Sequence, residues 1–369
     1  MPYCAMPIKF LNMKIVKLIT ALALLLTGSI VASAQLTVVG NSGEATPAPP
    51  APVKVSCAAE AARKAITKLA ADDYIFKNTG GITADMNVSK NSNNSFGDGY
   101  LQKAQKNGGV FYFNCSQQKA FAVWGNIMSK WGSKQWETGE LGWPTSNHSA
   151  TPGKPGAFTH FQGGSIYWSN ATGSHIVKGA IKTKWSALGW ENSELGFPKT
   201  DEIEIFNKTF MANDRKSLGV YQEYEGGRMY YQWGAPAAYE VRGLILGKYL
   251  EMKAQKSFLG FATSDETAVA NTNGRQNTFE RGIIIWSPAT EAHAIPTAVL
   301  KVYNTNGGAA GKLGFATGEA GIVNGKFLQE FQGGIILGTE AILKDNKNPN
   351  YIKMIEQIKL MKPVKIDDN

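Results

Sequence analysis

The strongest constraint on this chain is a short pattern that returns at a fixed distance from a second one. It stands at Leu141-Gly142-Trp143-Pro144, Leu195-Gly196-Phe197-Pro198, Leu259-Gly260-Phe261-Ala262 and Leu313-Gly314-Phe315-Ala316. Leu and the aromatic ring are burial residues, Gly permits a positive φ or a close backbone approach, and Pro fixes φ and removes a donor. Such a tetrapeptide reads as a buried corner. Seventeen residues before each corner glycine stands a small residue, Gly125, Gly179, Gly243 or Thr297. Two positions further on begins an apolar/aromatic pair at i, i+4: Ile127/Trp131, Ile181/Trp185, Ile245/Tyr249, Val299/Tyr303. That spacing is one face of a helix. The constant separation predicts a repeated helix-corner unit rather than unrelated domains.

A third signal completes the unit. Phe161-Gln162-Gly163-Gly164 runs into Ile166-Tyr167-Trp168, and Tyr224-Glu225-Gly226-Gly227, Phe279-Glu280-Arg281-Gly282 and Phe331-Gln332-Gly333-Gly334 are followed in the same way. An aromatic, a two-residue glycine-rich turn and an apolar run predict a β-hairpin. A further copy at Gly108-Gly109 precedes the first clear corner. The spacing assigns it a degenerate corner at Gly80-Gly81-Ile82-Thr83 and a helix over 64–70. From corner glycine to hairpin glycine the distances are 22, 31, 22 and 20 residues. The variable loop therefore precedes the hairpin, and its long copy lies between Lys199 and Tyr221.

These signals predict an α+β tandem repeat of five helix-corner-hairpin units at 57–115, 116–170, 171–233, 234–288 and 289–338. One unit cannot bury enough apolar surface to offset the entropy of ordering it, so neighbours must share a core. With no polar capping repeat at the fifth unit, closure into a propeller-like ring is the expectation. The tail, 339–369, adds Ile352, Ile355 and Ile358 at helical spacing.

The segment 1–34 reads as a secretory signal peptide, with Lys14 and Lys17 ahead of the apolar run Leu18 to Leu26 and a small-residue ending Ala32-Ser33-Ala34. Residues 35–56, with Pro47, Pro49, Pro50 and Pro52, read as a linker. Export predicts an extracellular or envelope-associated protein without a membrane span. Cys57 and Cys115 then form an even pair that reads as a disulfide, buried free thiols being the other reading. Three of the nine excess positive charges, Lys9, Lys14 and Lys17, belong to the leader, and the other lysines are scattered. Nucleic acid is thereby a poor candidate and an anionic envelope surface a better one.

The units resemble the LGFP-repeat family, whose repeat carries a Leu-Gly-Phe-Pro corner, a Phe-x-Gly-Gly-x-Ile-Tyr-Trp-Ser hairpin and a following Thr-Gly-x-His segment. Residues 141–198 match nearly completely, including Ser169, Thr172, Gly173 and His175. The resemblance implies a closed assembly of five repeats that holds an envelope-acting enzyme, such as a mycoloyltransferase or a peptidoglycan amidase, to cell-wall polysaccharide. Here the units fill the chain after the linker, without that catalytic partner.

No nucleophile elbow of the Gly-x-Ser-x-Gly type occurs, and His148, His160, His175 and His293 have no zinc spacing. Asn147, Asp201-Glu202, Asp265-Glu266 and Glu319 recur after the corners, which points to turn capping rather than a catalytic pair. No catalytic residue, metal or cofactor is expected. For binding, Trp168, Tyr231 and Trp286 recur four positions after the hairpin glycine. They could stack on sugar faces or fill the core between units. His175 and His293 share the repeat position of Phe121 and Tyr239, consistent with a packed ring holding one hydrogen bond or with a multivalent glycan site. The expected function is a secreted, non-catalytic module binding cell-wall or extracellular polysaccharide. The alternatives are a scaffold that contacts an envelope protein through the Lys199–Tyr221 insertion, and, last, a wall-polysaccharide hydrolase.

Overall fold

The computed structural model describes residues 57–89, 97–207, 216–347 and 349–360; the leader and the Pro-rich segment lie outside them. The described residues belong to one compact unit. It opens with α1 (Ala59–Ala70) and α2 (Asp73–Thr79), followed by a sheet of β1 (Ile82–Ser89), β2 (Gly99–Ala104), β3 (Val110–Asn114) and β4 (Lys119–Val123). Helix α3 (Gly125–Gly132) leads to the second sheet, β5 (Ser149–Ala150), β6 (Ala157–Phe161), β7 (Gly164–Ser169) and β8 (Gly173–Val177). Helix α4 (Gly179–Leu188) leads to the third, β9 (Ile203–Phe206), β10 (Ser217–Glu223), β11 (Gly227–Gln232) and β12 (Tyr239–Arg242). Helix α5 (Gly243–Glu251) leads to the fourth, β13 (Thr267–Ala268), β14 (Arg275–Phe279), β15 (Gly282–Ser287) and β16 (Glu291–Pro296). Helix α6 (Thr297–Thr305) leads to the fifth, β17 (Gly321–Val323), β18 (Lys326–Phe331), β19 (Gly334–Leu337) and β20 (Glu340–Leu343), and α7 (Pro349–Leu360) ends the described chain.

The expected fold class is corrected in two respects. Each unit is built on a four-stranded antiparallel meander with strands in sequence order, not on a hairpin beside a helix, so the protein is mostly β. The glycine-turn hairpins are only the middle pairs, such as β6–β7 with Phe161 opposite Gly164. An outer strand adds to each side, and the long Lys199–Tyr221 segment contributes β9 and the start of β10 to the third sheet. The array also does not close into a propeller. Successive cores join one sheet to the next, as when Tyr112 and Val123 of the first sheet meet Ile127, Trp131, Trp143 and Ile166 of the second unit. At the two ends the outer sheet faces meet helices. Ala62 and Ile66 of α1 cover Phe111 and Phe113, and Met354, Ile355 and Ile358 of α7 cover Leu328 and Ile335.

The fixed 17-residue spacing has a structural cause. The i, i+4 pairs Ile127/Trp131, Ile181/Trp185, Ile245/Tyr249 and Val299/Tyr303 are all buried. Each helix breaks after 8 to 10 residues into a short 3₁₀ turn that delivers the chain to the corner. The Tyr249 hydroxyl then donates to the Gly260 carbonyl at 2.6 Å, and Tyr303 to Gly314 at 2.8 Å. An added or deleted residue would break that bond and rotate the corner out of the core. The corner glycines Gly142, Gly196, Gly260 and Gly314 all have φ between 64° and 73°, a conformation costly to any residue with a Cβ.

Cys57 and Cys115 are joined by a disulfide, with Cα atoms 5.4 Å apart and 58 residues apart in sequence. It ties the entry to α1 to the turn between β3 and β4, and loop-closure entropy makes such a link worth about 2–4 kcal/mol.

Candidate functional site

Everything that repeats in this chain converges where one unit meets the next. The first residue of each two-residue turn locks its own unit's corner. The Gln162 side-chain oxygen accepts from the Trp143 N–H at 2.9 Å, Glu225 from Phe197 at 2.8 Å, Glu280 from Phe261 at 3.0 Å, and Gln332 from Phe315 at 2.9 Å. The turn itself donates back, Gly163 N–H to Leu141 O at 2.8 Å and Gly226 N–H to Leu195 O at 2.8 Å. Corner and hairpin are loosely spaced in sequence yet rigidly joined in space. The locked aromatic then packs into the preceding sheet where that sheet has a glycine: Trp143 beside Gly99, Phe197 beside Gly156, Phe261 beside Gly219, Phe315 beside Gly274.

Two polar devices fasten the same seam. A buried amide on the second strand spans both units: Gln222 Nε2 donates to Ile176 O at 2.8 Å and Thr200 O at 2.7 Å, Asn277 to Glu240 O and Ser264 O, Gln329 to Ala294 O and Gly318 O. In the second unit Thr159 holds this position, and its buried hydroxyl has no partner. The polar residues after the corners form the other device. They do not cap their own turns, as the sequence suggested; they accept from the last strand of the preceding sheet. Ala122 N–H donates to Asn147, Ile176 to Asp201, Glu240 to Asp265 and Ala294 to Glu319, at 2.9–3.1 Å. A lysine from the preceding unit's helix completes three of these clusters: Lys130 lies 2.7 Å from Asp201, Lys184 pairs with Asp265, and Lys248 lies 3.2 Å from Glu319.

The candidate binding residues fall inside this seam. Trp168, Tyr231 and Trp286 are half-buried against the cores between units. His293 shares its ring between Glu319 at 3.1 Å and the Thr290 carbonyl at 2.8 Å. His175 bonds the Thr172 carbonyl at 2.7 Å and sits 3.7 Å from Asp201. Burial opposes ionisation of Asp201, but the His175 ring, the Ile176 N–H and Lys130 together hold its carboxyl well below the usual range. The five candidates thus belong to four separate seams rather than to one site. Among the described residues, no cluster of His, Cys, Asp and Glu forms a metal centre.

The aromatics that do reach solvent were not singled out by the sequence. Trp136 and Trp233 are 47% and 49% exposed. Trp190, half-buried, stacks on Tyr167 at 5.7 Å. Trp136 and Trp190 occupy one repeat position, five after the helix aromatic, where the later units carry Ala254 and Gly308. All four have positive φ, 48° and 57° for the tryptophans, so two bulky side chains stand where a glycine also serves. The repeat alignment contained that signal, but the strain is visible only in the backbone. Trp233 is oriented by its Nε1–H bond to Ser217 Oγ at 2.8 Å and by edge contact with Tyr231.

Two clefts flank the start of α4. One, of about 540 Å³, lies between the β6–β7 turn and α4, with His160, Lys182 and Trp190 on its wall. The other, of about 260 Å³, is lined by Lys134, Glu140, Lys178, Asp201, Glu202 and Trp233, among others. In the second, burial pushes Glu202 up to about 7, with Lys178 opposing and the charges of Glu140 and Asp201 adding.

The LGFP repeat pattern matches four consecutive segments, 88–139, 141–193, 195–257 and 259–311, more than half of the chain. The chain belongs to the LGFP-repeat family. Three of the matched LGFP segments open at a corner leucine and run through the sheet into the next helix, so their boundaries fall at the seams described above. The fifth corner and sheet lie beyond the last matched LGFP segment. LGFP repeats are non-catalytic and typical of cell-wall-associated proteins. No curated protein matches this LGFP chain. Among solved structures it is similar to an extracellular domain ascribed to the one-component system BT4673 of B. thetaiotaomicron, at 10% identity and a TM-score of 0.14, over 73% of this chain and 38% of that one. The LGFP chain thus spans well under half the length of that structure. No helix among the described residues is long and apolar enough to cross a membrane.

Proposed function

We propose that this LGFP array is a non-catalytic module that binds a cell-wall or extracellular polysaccharide through tryptophans presented at its seams. The observation that carries the reading is the pair Trp136 and Trp190. Holding a side chain with a Cβ in the left-handed region costs about 1–2 kcal/mol, and the same turn forms with glycine at 308. A strained, preoriented indole is suited to the apolar face of a sugar ring, and repeated platforms on one chain give avidity toward a polymer. The adjacent carboxylates Asp201 and Glu202 differ in ionisation, as a hydrolase would require, but Asp201 is committed to Ile176 and Lys130. That commitment supports a structural role for it.

Retention on insoluble cell walls, stripped stepwise of protein and secondary polymers, tests the reading. Trp136→Ala combined with Trp190→Ala is expected to weaken retention at least about tenfold, roughly the contribution of one stacked ring. Trp168→Ala should act through stability instead, lowering the unfolding midpoint. Wild-type chain that is retained by no glycan fraction would end the proposal.

A further inference from the structure

The larger cleft differs chemically from its counterparts at the other seams. The helix position that is Lys182 in α4 is Met128 in α3, Leu246 in α5 and Leu300 in α6, and each of those three side chains packs on the core beneath it. At this seam an amine stands where the other three carry a filling apolar residue, and it lines the cleft. Lysines 130, 184 and 248 all have carboxylate partners. Among the described residues Lys182 has no carboxylate partner; its ammonium reaches the Gly164 carbonyl at 3.5 Å.

The rest of the wall suits a sugar. His160 Nδ1 is engaged by Ser165 Oγ at 2.7 Å, which leaves Nε2 as the ring's other polar atom. Burial, with the Lys182 charge adding, holds this imidazole below its ordinary range, so it is neutral at pH 7 and can exchange hydrogen bonds with hydroxyls. Trp190 supplies the aromatic face, backed by Tyr167 and by edge contact with Trp185 at 5.4 Å. Thr183 and Ser186, one turn apart on α4, add hydroxyls.

We propose that this cleft is a subsite for a sugar ring bearing an anionic group, a carboxylate or a phosphate, with the ring on Trp190 and the anion on Lys182. The proposal deepens the polysaccharide reading and rests on it. An unpaired ammonium gains most from a ligand that brings the missing negative charge, because burial has already removed part of its water. A neutral glycan would leave it unpaired.

Calorimetric titration of the full chain with two matched pairs tests this: tetragalacturonate against its methyl ester, and a phosphorylated mannose oligosaccharide against its dephosphorylated form. At least one anionic member is expected to bind about tenfold or more tightly than its neutral partner. Which pair shows the preference identifies the anion. Lys182→Leu, which installs the residue found at 246 and 300, should abolish the preference without lowering the unfolding midpoint. Equal affinities within both pairs, or a preference that survives in Lys182→Leu, would overturn the subsite. Wall retention measured in parallel separates the two claims: retention without anion preference sinks the subsite alone, and no glycan binding of any kind sinks both.

Discussion

Gly156→Val is expected to cost about 4 kcal/mol, roughly a thousandfold in the folding equilibrium, although the substitution touches no ligand and no charged group. Gly156 does not have a positive φ; the constraint is space. A Cβ there would lie 2.6 Å from Phe197 Cζ and 2.6 Å from the Trp168 carbonyl oxygen. Phe197 cannot retreat, because its N–H is held by Glu225 and its ring fills the core between the second and third units. The Trp168 carbonyl belongs to a strand paired on both sides. Relief therefore requires the seam to part, exposing a buried aromatic as well as straining the sheet. Urea unfolding of the full chain measures the loss. Adding Phe197→Ala to the valine variant should cost clearly less than Phe197→Ala does in the wild-type background, since the two side chains compete for one volume. Simple additivity, or a loss under about 1 kcal/mol, would show that the glycine is not a docking notch.

That notch also explains what could and could not be read from the sequence. Corner, helix pair and glycine turn were legible because each depends on residues a few positions apart: a positive φ at Gly196, an i, i+4 face at Ile181 and Trp185, a turn at Gln162-Gly163. The outer strands were not. Strands β5 and β13 are two residues each, too short for any alternation, and are defined only by pairing with β6 and β14. Omitting them made the unit look helical and hairpin-like rather than mostly β. The ring was expected because the fifth unit shows no polar capping repeat, whereas the ends are covered by α1 and α7, which lie outside the four matched LGFP segments. Trp168 packs on a core shared with the first sheet, and His175 and His293 meet carboxylates of the following unit, Asp201 and Glu319, so no single repeat encodes their surroundings. Trp190 and Lys182 were available by aligning the repeats. Their meaning required the backbone strain at one and the missing carboxylate at the other.

The seam carboxylates give the second large effect, with a control built into the chain. Asp201→Ala removes the acceptor for the Ile176 N–H and the partner of Lys130, and about 2 kcal/mol of stability should go with it. Asp201→Asn should cost less than half as much, because Asn147 already accepts the equivalent Ala122 N–H at 3.0 Å in a seam without an ion pair. The pH dependence separates charge from hydrogen bond. Asp201 and Glu319 are both held below their ordinary values, so the native state binds fewer protons than the unfolded chain. Their contribution is full above about pH 4 and is lost as pH falls below it. Glu202 and Glu240 have the opposite sign. Burial pushes both up to about 7, with like charges adding, so the native state takes up protons first and gains stability as pH falls through 7. Stability should therefore be greatest between about pH 4 and 7. In Asp201→Asn the acid limb should become shallower, and the gain on descending from pH 7 should shrink, since the Asp201 charge helps to raise Glu202. An acid limb unchanged by Asp201→Asn would mean that the charge of Asp201 and its pairing with Lys130 contribute nothing to stability at that seam.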